Sequence, residues 1–137
     1  MEAIASATAS ALSVTSFDTH DVTTPSAREK RLEFSADDIV IFGTPVYIGR
    51  VPNLIKPYLE TICGGGATGI PVVVYGNRHF DDALVELYDL MTNGGFRCIA
   101  GAAFIGEHSF SRKLGEGRPD AADLEVASEF GEKIAQI

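Results

Sequence analysis

Residues 69–76 read Gly-Ile-Pro-Val-Val-Val-Tyr-Gly, an apolar run bounded by glycines. A strand with one face in water alternates apolar and polar residues. A continuous run is the pattern of a strand covered on both faces, as in a parallel sheet flanked by helices. Two further runs share this character: Asp38 to Gly43 (DIVIFG) and Arg97 to Gly106 (RCIAGAAFIG). Helical patterns separate them. From Val51 to Ile62, the residues Val51, Leu54, Ile55, Tyr58, Leu59 and Ile62 share one helical face. Pro52 suits a first turn, Pro57 kinks the helix or keeps its start irregular, and Gly64-Gly65-Gly66 stops it. Asp81 or Asp82 is placed to cap a helix running through Met91, with Leu84, Leu87, Tyr88 and Met91 inward and Asn93-Gly94-Gly95 at its end. Beyond the polar loop Glu107–Arg118, Pro119 opens a last helix with Leu124, Ala127, Phe130, Ile134 and Ile137 on its inner face.

Ahead of the first run, Met1 to Leu12 reads as an Ala-rich helix, with Ile4, Ala7, Ala11 and Leu12 on one face. Ser13 to Asp18 (SVTSFD) reads as a short strand, and the polar stretch Thr19–Asp37 holds at most a short surface helix. Strand and helix thus alternate at βαβ spacing. The expected fold is a three-layer α/β sandwich with a parallel sheet, one domain over residues 1–137.

Composition narrows the function. The 137 residues carry 11 Lys and Arg against 19 Asp and Glu, a net charge of −8 that repels phosphate backbones and anionic lipid. Nucleic acid and membrane surfaces are therefore not expected as partners. No apolar run approaches the roughly 20 residues of a membrane-spanning helix. The Ala- and Ser-rich start lacks a signal peptide's positive charge: Glu2 stands near the start and the first basic residue is Arg28, so a cytoplasmic location is expected. Cys63 and Cys98 have no partners at metal-ligand spacing and read as reduced, structural thiols.

In doubly wound sheets, ligands bind beyond the carboxyl ends of the strands. Three loops leave such ends here. In the first, Pro45 rigidifies the turn, Gly43 and Gly49 permit close backbone approach, and Tyr47 offers either a ring face for a flat aromatic ligand or hydrophobic cover for the loop. In the second, Gly76-Asn77-Arg78-His79-Phe80, a helix N-terminus and the Asn77 amide offer hydrogen bonds to a heterocycle, although Gly-Asn also makes a plain turn. The third, Gly106 to Ser111, carries Glu107 and His108, either a proton-handling pair or surface residues. His20, His79 and His108 do not have the spacing of a metal site. Gly64–Gly66 has no helix at P-loop spacing, and Ser109 and Ser111 lack a nucleophile elbow, so no catalytic side chain is assigned.

The string Gly43-Thr44-Pro45-Val46-Tyr47-Ile48-Gly49, with Lys56, Tyr58, Leu59 and Glu60 behind it, resembles the second flavin loop of flavodoxins and flavodoxin-like reductases. VVVYGNRHFDDAL and AFIGEHSFS, followed by GRPD, most resemble the flavodoxin domain of anaerobes' flavodoxin/ferredoxin fusion proteins, over roughly residues 38–134. The resemblance implies FMN as cofactor and one- or two-electron transfer to redox partner proteins. By position, Thr44, Pro45, Val46, Tyr47, Ile48 and Gly49 would line the isoalloxazine, and Gly76, Asn77, Arg78 and His79 would meet its pyrimidine edge. Arg50 and Arg78 are the expected counter-charges. The alternatives are an FMN-dependent NAD(P)H or quinone reductase on the same fold, and a non-flavin remnant.

Two departures accompany the resemblance. The family's first strand and its Ser/Thr-Gly phosphate loop have no counterpart, since Glu2-Ala3-Ile4-Ala5 resembles the middle of the first helix. No iron–sulfur Cys cluster follows. These departures imply impaired FMN binding. They also imply a sheet gap filled by the chain's own N-terminal segment or by a second copy, in a homodimer through the exposed sheet edge.

Overall fold

The computed structural model describes every residue except Thr15. Its elements are α1 (Glu2–Ser10), a 3-10 turn (Ser26–Arg28), β1 (Ile39–Pro45), α2 (Lys56–Leu59), β2 (Thr68–Tyr75), α3 (Ala83–Asn93), β3 (Arg97–Cys98), β4 (Ala102–Ile105) and α4 (Ala121–Ala135). All strand pairs are parallel. β1 runs beside β2 from Ile39↔Thr68 to Pro45↔Val74, while β3 and β4 lie in succession along the other side of β2.

β2 is the spine. Gly69 to Val73 are buried, because helices cover both faces. Ile70 and Val72 point toward α1 and α4, in a core with Ile4, Phe104, Ala127 and Ile134. Val73 points the other way, into a core with Tyr58, Leu59, Ala83, Leu87, Met91 and Phe96. The three-layer sandwich expected from the sequence is present.

Pro71 accounts for a feature that the sequence did not announce. Arg97–Gly106 is not one strand but two pieces. Backbone bonds from Ile99 N–H to Gly69 O and from Gly106 N–H to Tyr75 O show that the odd residues of β2 serve this side of the sheet. Pro71 is one of them and has no N–H to give. Opposite it the ladder breaks: Ile70 and Pro71 face three residues, Ile99, Ala100 and Gly101, before pairing resumes at Val72↔Ala102. This is a β-bulge. Gly101 fits the tight approach, since a Cβ there would lie 3.3 Å from both Pro71 Cγ and Pro71 O.

Three other expectations need correction. The strand expected at Ser13–Asp18 is not seen among the described residues: Thr15 lies outside them, and its neighbours on both sides are not in a strand. A strand needs a partner, and none runs beside this segment among the described residues. The helix expected over Val51–Ile62 shrinks to Lys56–Leu59 after a series of turns, with Pro57 in its first turn and Leu54 exposed. Two residues assigned to inner helical faces, Tyr88 and Ile137, are exposed.

The outer side of β1 is open. Its even residues bond to β2, as in Thr68 N–H to Asp38 O and Val46 N–H to Val74 O. The backbone groups of Ile39, Ile41 and Gly43 therefore face away from the sheet, and no strand among the described residues pairs with them. A sequence suited to an interior strand thus sits at an edge, with Ile39 half exposed.

Helix α1 lies against α4. The buried Thr8 hydroxyl donates to Ala127 O at 3.1 Å, and Gly131 lets the helices close: a Cβ there would stand 2.3 Å from Thr8 O and 2.8 Å from Ala11 Cβ. At the other end of α4, Asp120 and Asp123 form a reciprocal capping box, and the Arg118 guanidinium pairs with the Asp123 carboxylate. These contacts hold the Asp123 carboxyl down at about 2, chiefly through the Arg118 hydrogen bonds.

Two outcomes follow. G131A should destabilise the protein by about 1–3 kcal/mol, because overpacking against backbone outweighs the roughly 1 kcal/mol of helix propensity gained by alanine. Urea midpoints measure this, and a stabilised variant would show that α1 is not seated on α4. A lowered pKa stabilises the fold above the carboxyl's unfolded value near 3.8, and that stability is lost as pH falls through about 2. The stability difference between wild type and D123N should therefore be flat above about pH 5 and shrink toward pH 2.

Candidate functional site

The loops after β1 and β2 leave adjacent strands at the same sheet end, since Pro45 and Val74 are register partners. The first turns sharply at Ile48-Gly49. Tyr47 N–H donates to Arg50 O at 2.9 Å and Arg50 N–H returns a bond to Tyr47 O at 3.1 Å. Both central residues have positive φ, 53° at Ile48 and 72° at Gly49. This is the mirror-image turn of tight hairpins, which favours Asn and Gly. Gly49 suits it. Ile48 does not, because a β-branched residue in the left-handed region is strained, and its side chain is fully exposed at 101%.

The two loops are tied together. Asp82 N–H donates to Gly49 O at 3.1 Å, and Gly49 sits so close to Asp81 that a Cβ would fall 2.5 Å from its carboxylate. The second loop also turns through the left-handed region, at Asn77 (φ 59°) and Asp81 (φ 43°). Asp82 is the first cap residue of α3, as its position suggested, but its side chain makes no capping bond. The third loop closes over the second: His108 packs against Gly76, and Gly115 lies against Gly106 O and Asn77 Cβ. Glu107 N–H to Arg118 O and His108 N–H to Leu114 O stitch this loop into a compact flap. Phe110 projects from it at 95% exposure.

The ten residues expected to contact a ligand therefore gather at one end of the sheet, with different access. Pro45, Tyr47, Ile48, Asn77, Arg78 and His79 are exposed, Val46 and Gly76 are half-buried, and Thr44 and Gly49 are buried. Thr44 turns its hydroxyl to Pro45 O at 3.2 Å. The histidines act locally: His79 Nδ1 accepts from Asp81 N–H at 2.7 Å, and His108 Nδ1 accepts from Phe110 N–H at 3.0 Å. Each thus stabilises its own turn. Among the described residues, no group of His, Cys, Asp and Glu has metal-site geometry. The Cys98 thiol is pushed up by burial and lies at the opposite end of the sheet, where β3 pairs with the start of β2.

Arg50 is not a free counter-charge. Its Nε and Nη2 donate to the Glu86 carboxylate at 3.1 and 2.8 Å, which Lys56 Nζ (2.7 Å) and Val51 N–H (2.8 Å) also reach. Glu86 was not singled out from the sequence. Its one trace there is a register shared with Ala83, Leu87 and Met91, all buried on α3. A carboxylate only 9% exposed needs partners, and this one has four donors. They hold it down at about 2, the Arg50 hydrogen bonds contributing most.

The residues at this end offer apolar surface and backbone groups of the kind a flat heterocycle would contact. Two Gly-bearing loops and exposed aromatic and aliphatic side chains frame one sheet end. The nearby α1 N-terminus, which brings the Met1 side chain over Gly43, has no side-chain cap and carries the carboxylate of Glu2 in its first turn.

No protein-family model and no curated protein sequence matches the chain. Solved structures do. The flavodiiron core Flv1 of Synechocystis superposes with a TM-score of 0.54 at 19% identity, over 98% of this chain and 31% of that one. This chain thus spans about a third of that protein. The flavodoxin, WrbA-like protein of Agrobacterium tumefaciens superposes with a TM-score of 0.55 at 18% identity, over 98% of this chain and 87% of that one. At these identities the likeness establishes the fold: the chain has the flavodoxin-like three-layer architecture.

Proposed function

We propose that this chain is an FMN-type electron-transfer domain whose site holds the flavin ring and only weakly engages the phosphate. The observation that carries the reading is the bonded pair of loops, joined through Asp82 N–H and Gly49 O, that presents Tyr47, Ile48 and the Asn77–His79 turn at one sheet end. The resemblance of residues 43–49 and 72–84 to flavodoxin flavin loops supports it. Thr44 to Gly49 would lie along the ring and Gly76 to His79 at its pyrimidine edge. FMN supplies the one- or two-electron chemistry when bound. This chain's part is to hold and orient the ring, exclude water from one face and leave an edge open to redox partner proteins.

The phosphate argument is electrostatic. A phosphate monoester carries about −1.5 to −2 charge and relies on helix N–H groups and cations. Here the α1 terminus offers Glu2, within a chain of net charge −8. A reductase is the second reading, favoured by the Phe110 flap beside Gly76, which could cover a quinone or nicotinamide over the ring.

Quenching of flavin fluorescence tests the proposal. Riboflavin and FMN should bind with affinities within about threefold of each other, because their difference is the phosphate. FMN binding tighter by about tenfold or more would reveal a working phosphate site, and no quenching by either would overturn the ring assignment. Bleaching by NAD(P)H with turnover of a quinone would establish the reductase instead. The strained turn gives a second test. I48N, which places a residue tolerant of positive φ at the tip, should raise the stability of the flavin-free protein by about 1 kcal/mol and weaken flavin binding. Denaturant midpoints and the same quenching titration measure both.

A further inference from the structure

We infer that Glu86 is the positioning residue of the candidate flavin loop, a single buried carboxylate that sets where Tyr47 and Ile48 stand. The inference rests on the flavin reading for its purpose, but its geometry is independent of it.

Between the end of β1 and the start of α2 the chain runs ten residues, Val46 to Ile55, in turns alone. Such a segment needs anchors if its tip is to keep one place. Its own turn bonds join Tyr47 to Arg50 but fix neither to the rest of the molecule. Val46 N–H to Val74 O ties down the start of the segment and Asp82 N–H holds Gly49. Glu86 takes four more bonds: two from Arg50, one from the buried Val51 N–H, and one from Lys56 at the head of α2. Four donors, three from Arg50 and Val51 in the loop and one from Lys56 just beyond it, thus converge on two oxygens one turn into α3. Because Arg50 closes the turn on Tyr47, anchoring Arg50 anchors the tip.

The chemistry explains why a carboxylate serves here. Two cations share it, so the cluster keeps one net positive charge beside the loop. Removing the carboxylate would leave the Val51 N–H unpaired in the interior and set Arg50 and Lys56 against each other. The lowered pKa of Glu86 agrees, since it keeps the anchor charged well into acid. The strain at Ile48 also becomes intelligible. A turn that disfavours its own residue persists only where the surroundings over-determine it.

Amide hydrogen exchange on the flavin-free protein, paired with riboflavin titration, tests this. In E86A the amides of Tyr47, Arg50 and Val51 should exchange about tenfold faster or more, with those of Ile70, Val72 and Val73 unchanged. E86Q, whose amide oxygen still accepts from Val51 N–H, should fall between E86A and wild type. Riboflavin affinity should drop in the same order, by about tenfold in E86A. Uniform acceleration along β2 as well would mark Glu86 as a general stabiliser and overturn the inference, as would loop amides that stay protected in E86A. A loosened loop with unchanged affinity would overturn its role toward the ring. Should E86A fail to fold, E86Q and K56M carry the same comparison. Absence of quenching by wild type overturns the flavin reading and with it the role toward the ring, while amide exchange still decides whether Glu86 holds the loop.

Discussion

A parallel strand covered on both faces cannot satisfy itself. Its side chains need two layers of helix, and its backbone needs a strand on each side. β2 meets that demand, and the rest of the molecule is arranged around it. β1 takes one side, β3 and β4 the other, α1 and α4 one face, α2 and α3 the second. Because all pairs are parallel, the loops that leave β1 and β2 emerge at one end, and the sheet itself assembles the candidate site. Pro71 is the exception written into the spine. Its missing N–H breaks the ladder and divides the last strand, with Gly101 at the close approach.

The site shows the usual tension between stability and use. Ile48 occupies a backbone conformation that suits asparagine or glycine, and it exposes its whole side chain. A buried carboxylate then holds the loop through four donors, which is a costly arrangement to desolvate and a specific one once complete. The result is an apolar tip in a strained turn, fixed from behind by a buried carboxylate and its two cations. The opposite end of the sheet carries no such device among the described residues: Cys98 is partly buried there and Gly64–Gly66 forms a plain connection packed on Phe34 and Phe96.

β1 sets the other constraint. Its residues are those of an interior strand, yet its outer backbone groups have no strand beside them among the described residues. The α1 helix covers part of its face through Met1 and Gly43 but cannot supply the missing ladder. An edge of this kind is open to any extended segment that reaches it.

Apolar runs bounded by glycine, and helical faces between them, were enough to establish a three-layer α/β sheet. These patterns reflect burial on two faces and on one, and burial is what composition along a chain records. Loop glycines and the string from Thr44 to Gly49 were enough to pick out the loops that the sheet brings together at one end. Tertiary structure alone decided the remainder. Ser13–Asp18 has the residues of a strand, but among the described residues no strand runs beside it, and strands exist only in pairs. Val51–Ile62 has a helical face, but its first half is drawn into turns and bonded to Glu86. Glu86 was not singled out from the sequence at all. Its part depends on Arg50, Val51 and Lys56, thirty to thirty-six residues earlier, meeting at one point, and no local pattern in a sequence encodes that meeting.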